Sequence, residues 1–117
     1  MALSLYADRV RETTVTSGTG SVSLAGAVAL YQSFASAFTS GQEVAYALFD
    51  PAVGWEVGIG TFTTGSISRD VVTDGTGGPG VHISLSGGTT QVFNTAPAVF
   101  FQTMPFNPWW YGQFGGL

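Results

Sequence analysis

Turn-forming clusters interrupt this chain roughly every ten residues, at 17–20, Gly26, Gly41, 50–54, 73–80 and 87–88, which leaves little room for a long helix. Between them lie short runs rich in β-branched and aromatic residues that change character with a period of two. The clearest is WEVGIGTFTTG, where Trp55, Val57, Ile59 and Thr61 alternate with Glu56, Gly58, Gly60 and Phe62. Gly58 and Gly60 share one face, so a neighbouring backbone or a bulky side chain can approach there. The pattern predicts an all-β fold, a single β-sandwich or barrel-like domain, with a jelly-roll-like order among the options. At 117 residues the chain holds one compact domain.

Several local features refine that expectation. Residues 13–16 and 21–24 flank SGTG and read as a hairpin, while a helical turn at 5–11 is the competing local reading. Leu30, Phe34, Ala37 and Phe38 fit a helical spacing, but Gly26 and Gly41 bound the segment, so a short helix or a loop would carry both phenylalanines into the core. After Gly41, Val44, Tyr46 and Leu48 alternate as a strand. Asp50 to Gly54 is a turn in which the aspartate folds back on the backbone, Pro51 presets φ and the glycine accepts positive φ. Val81, Ile83 and Leu85 resume the period of two, and Gly87-Gly88 is expected to close a hairpin onto TTQVFNT.

Charge narrows the function classes. Only 9% of residues are charged, the net charge is −4, lysine is absent, and the three cations are Arg9, Arg11 and Arg69. Nucleic-acid binding needs a cluster of cations to displace counterions, so no nucleic acid is expected as partner. A surface so poor in charge favours association with copies of itself or with another protein. The chain has no cysteine, which excludes disulfides and thiolate metal sites. Neither a signal peptide nor a run of about 20 apolar residues is visible, so no membrane partner is expected.

Each candidate site in the sequence also has a plainer reading. Ser68, Asp70 and His82 are the residue types of a nucleophile, orienter and base, yet a lone histidine in a β-protein is more often a surface or interface residue. Asp70, Asp74 and His82 lack the repeated acidic ligands of a calcium loop, and DGTGG reads as a turn. GTGGPG lacks the lysine and following helix of a phosphate loop. The expectation is therefore no enzyme, no catalytic residue, no metal and no cofactor. Asp8, Arg9, Arg11 and Glu12 place four of the ten charged side chains within five positions, either as local ion pairs or as a polar junction for a partner. Arg69 and Asp70 face opposite ways on a strand and each needs a partner from elsewhere, with Glu56 or Asp50 the candidates for Arg69.

The phrases LYADRVRETT, GTGSVSLAGAV, QSF, GWEVGIGTFTTGSISRDVV and VFNTAPA, in that order, resemble a small all-β module widespread in tailed-bacteriophage structural proteins. The resemblance spans about residues 5–98, and its most specific part is WEVGIGT followed by SRD. It implies a non-enzymatic virion component and transfers no catalytic residue. The expected location is the virion, and the expected role is capsid decoration: a cement protein that stabilises the head by binding the major capsid protein as a homo-oligomer, with a trimer as one state. A tail, neck or fibre adaptor binding other virion proteins, and a carbohydrate-binding module stacking sugars on Trp55 or Trp109-Trp110, are the alternatives.

The resemblance ends near Pro97, which divides the chain into a β-module at 1–97 and an aromatic arm at 98–117. The stretch PAVFFQTMPFNPWWYGQFGGL carries seven aromatic rings and no charged side chain. Its Phe100, Phe101, Phe106, Trp109, Trp110, Tyr111 and Phe114 are the expected partner anchors, joined by Arg9 and Arg11, because aromatic side chains bury much area at low entropic cost. Pro97, Pro105 and Pro108 argue against a central strand or a helix there.

Overall fold

A computed structural model of the chain describes residues 5–96 and Ala98. The expected anchors Phe100, Phe101, Phe106, Trp109, Trp110, Tyr111 and Phe114 lie outside the described residues.

The fold is nearly all β. In chain order it comprises β1 (Arg11–Thr14), β2 (Ser17–Gly18), β3 (Val22–Ser23), α1 (Phe34–Ala37), β4 (Glu43–Asp50), β5 (Gly54–Thr63), β6 (Ser66–Ile67), β7 (Val71–Gly75), β8 (Leu85–Ser86) and β9 (Thr90–Asn94). Seven strands form one curled antiparallel sheet in the order β1-β9-β4-β5-β6-β3, and β7 also pairs with β5 beside β6. β2 and β8 form a separate two-stranded sheet. The barrel-like architecture is thus a half-barrel.

A single stretch of chain serves both edges of the curl. Val22–Ser23 pairs with β6 and Leu24 N donates to Gly65 O. A few residues later, Ala25 N donates to Thr13 O and Val28 N to Arg11 O, flanking an antiparallel bridge between Ala27 and Glu12. Residues 22–28 therefore satisfy backbone groups that both edges would otherwise expose.

This arrangement corrects the first expected hairpin. Residues 13–16 and 21–24 do not pair; β1 lies between β9 and residues 25–28 instead. Threonine side chains divert the chain between them: Thr16 N donates to Thr14 Oγ1, and Ser23 N donates to Thr16 Oγ1. The hairpin expected at Gly87-Gly88 is also absent. Both edges of β9 are already occupied, by β1 and β4, so β8 turns to β2. The β4–β5 hairpin forms as expected, with Asp50 Oδ1 accepting from Ala52 N at 2.9 Å.

The aromatic spacing at 34–38 resolves as a four-residue helix. Ser33 caps it by accepting from Ser36 N, and the next carbonyl-bonded residue is already extended. Its purpose in packing is clear: Phe34 is fully buried, with ring centroids 5.9 Å from Phe38 and 6.4 Å from Phe62. Around this trio the inner faces of β4 and β9 contribute Val44, Tyr46, Leu48 and Val92.

Candidate functional site

On β5, the face carrying Glu56, Gly58, Gly60 and Phe62 turns inward, and the more apolar Trp55, Val57 and Ile59 turn outward. The glycines permit this inversion. A Cβ on Gly58 would meet Val71 O and the Tyr46 hydroxyl, and one on Gly60 would overlap Ser68 O. Close approach of backbone and phenol brings Tyr46 OH to Glu56 Oε2, to which it donates at 2.6 Å.

Arg69 completes this buried centre. Its Nε donates to Glu56 Oε2 at 2.9 Å and its Nη2 to Glu56 Oε1 and Ile83 O, while Nη1 donates to Gly18 O and Gly20 O. All five guanidinium hydrogens are thereby used. Ile83 N adds a 2.9 Å bond to Glu56 Oε1. Burial alone would push the Glu56 carboxyl up, but the Arg69 guanidinium, the Tyr46 hydroxyl and the Ile83 N–H together hold it below its ordinary value. Burial, with the Glu56 hydrogen bond and charge adding to it, pushes the Tyr46 phenol well up. The network clasps the 18–20 loop and the 83–85 segment to β5, which makes it a structural junction. It also explains why the expected strand at 81–85 is reduced to Leu85–Ser86: the backbone of Ile83 is bonded to side chains instead of a neighbouring strand.

The other buried acids act similarly. Glu12 accepts from Gly26 N at 2.9 Å and Phe34 N at 2.7 Å. Asp50 Oδ2 accepts from Ser86 N and Oγ, both at 2.8 Å, and the Ser86 amide is the leading reason its carboxyl sits below the ordinary value.

The Ser68, Asp70 and His82 constellation does not come together by hydrogen bonding. Ser68 Oγ is bonded to the Thr61 backbone, Asp70 Oδ2 accepts from Thr61 Oγ1, and His82 Nε2 donates to the Arg69 carbonyl at 2.7 Å. Among the described residues no group of three or more His, Cys, Asp or Glu side chains is placed to hold a metal.

The surface feature that stands out is the outer face of the sheet. Strand register builds a continuous row across it: Arg11, Phe93, Ala47, Val57, Asp74. A parallel row holds Thr13, Gln91, Phe49 and Trp55, and a shorter one Ala45, Ile59 and Val71. Phe49 is 46% exposed, its cross-strand partner Trp55 42% and Val71 57%. At the β1 end of this face lies an open cleft of about 510 Å³, lined by Arg9, Arg11, Tyr31, Phe49, Gln91 and Phe93.

Both arginines are held in place. The Arg9 guanidinium carbon stands 4.0 Å from the Tyr31 ring centroid and Nη2 donates to Leu30 O at 3.0 Å. Arg9 and Leu30 both adopt positive φ, at 57° and 71°, an uncommon backbone for such side chains that accompanies this contact. Arg11 Nε donates to Gln91 Oε1 at 2.9 Å, with its guanidinium 5.4 Å from Tyr31 and 5.9 Å from Phe93. The alternative of local ion pairs is thus not adopted: the arginines take aromatic and amide partners, and Glu12 is buried on backbone amides.

Arg9 and Arg11 were legible as surface candidates in the sequence; Tyr31, Phe49, Gln91 and Phe93 were not. The parity of β4 did carry one clue. If Val44, Tyr46 and Leu48 face the core, Phe49 must face out. No protein-family model, curated protein or solved structure matches the chain.

Proposed function

We propose that this chain is a non-enzymatic structural subunit of a bacteriophage virion, acting as a capsid decoration protein that binds the major capsid protein. The observation that carries the reading is the outer sheet face, which leaves Phe49, Trp55 and Val71 about half exposed in a chain with only ten charged side chains. Contiguous apolar surface of this kind is stabilised by burial in an assembly. The likeness of residues 5–98 to phage structural modules supplies the type of assembly. A rigid domain clasped by buried acids suits a part that binds in many equivalent positions and stabilises the shell by mass action.

Quantitative mass spectrometry of purified particles tests this. Hundreds of copies per particle support the shell, six to a few dozen favour a tail, neck or fibre adaptor, and absence from particles overturns the virion reading. A carbohydrate-binding role is the second reading, favoured by the exposed Trp55 beside Phe49. A glycan array showing a hit that Trp55→Ala abolishes would support it.

A further inference from the structure

The outer face is polarised as well as apolar. The row Arg11, Phe93, Ala47, Val57, Asp74 runs across five strands, with a cation at one end and an acid at the other. The cation end is the cleft, where Arg9 and Arg11 lie against Tyr31. The acid end is β7, where exposed Asp70 and Asp74 bracket the exposed Val71. Charge balance makes the two ends a matched pair. Of the seven acids, Glu12, Asp50 and Glu56 are buried, leaving Asp8, Glu43, Asp70 and Asp74 at the surface. Of the three cations, Arg69 is spent on Glu56, so Arg9 and Arg11 are the arginines left at the surface. The carboxylate of Asp74 accepts from the amide of its own neighbour, Gly75, at 2.8 Å, and among the described residues no cation pairs with it.

We propose that the cleft at Arg9 and Arg11 receives the β7 edge of a second copy of this chain, with Asp74 of the second copy facing the two guanidiniums. The apolar middle of the face, Phe49, Trp55 and Val57, is covered in the same contact. Arg9 is braced on Tyr31 and Arg11 on Gln91 before the second copy arrives, which lowers the ordering cost of binding. Opposite charges at the two ends fix orientation and repel a copy docked cation to cation or acid to acid. The contact goes beyond the virion reading, because it is a property of the isolated protein and survives if the chain is absent from particles.

Sedimentation equilibrium on the full chain and two charge reversals tests it. The chain is expected to associate, and Arg11→Asp or Asp74→Arg alone is expected to weaken association by about tenfold or more, since each places like charges opposite one another. Mixing the two variants is expected to restore a complex, because the cleft of Arg11→Asp is then complementary to the β7 edge of Asp74→Arg. Recovery in the mixture shows independently that both variants are folded. The proposal is overturned if the parent stays a single chain up to millimolar concentration. It is equally overturned if association persists in both variants, which would assign it to the 98–117 arm or another face, or if two weakened variants fail to recover when mixed.

Discussion

Arg69 is the residue on which the interior most depends. It neutralises Glu56 and ties three separate backbone carbonyls to one guanidinium, so its loss strands a carboxylate in a site that is fully buried. Arg69→Met is expected to cost about 3–5 kcal/mol, read as a lower midpoint in urea denaturation. Adding Glu56→Gln should return part of that loss, because the uncompensated charge goes with it. Acid should have a related effect. Glu56 and Asp50 are held below their ordinary values in the folded state, so between those depressed values and the unfolded ones the unfolded chain binds more protons. Their contribution is therefore complete above the unfolded carboxylate range of about 4 and is lost as pH falls through the folded values. Melting temperature should hold from neutrality to about pH 5 and then drop, and Asp50→Asn should flatten that drop. The sequence named Glu56 as one of two candidates for Arg69, because an arginine on a strand next to an aspartate must look elsewhere. It could not choose between Glu56 and Asp50, since only the sheet register decides which faces the guanidinium.

At the scale of elements, β5 decides the architecture because it pairs on one side with β4 and on the other with both β6 and β7. That branching requires its inner face to be bare at Gly58 and Gly60. Gly60→Ala would set a methyl group against Ser68 O, a backbone atom that cannot swing aside, and is expected to destabilise by about 1–3 kcal/mol as measured by chemical denaturation. The alternation of this strand, the 50–54 turn and the inward-pointing Phe34 and Phe38 were all legible, because each depends on residues near in sequence. The two hairpins that did not form fail for a shared reason. A Gly-rich turn permits its flanking strands to pair, but β9 had better partners on both edges, and the Thr14 and Thr16 hydroxyls took the chain elsewhere.

For the molecule as a whole, every residue of the described core falls between Val10 and Val92. A chain ending at Pro97 is therefore expected to keep the parent's cooperative thermal transition, checked by calorimetry. Loss of particle binding by that same truncated protein would assign the anchor role to the aromatic arm, and normal particle occupancy would remove it. The sequence by itself determined the all-β class and the poverty of charge, because these follow from local periodicity and from counting. Only the tertiary structure decided which face of β5 is the interior, which acid Arg69 meets, and that Arg11 and Asp74 stand at opposite ends of one row. The physical reason is that pairing across a sheet is a choice among distant strands with similar local chemistry. It is settled by which arrangement pairs the buried charges and closes the edges.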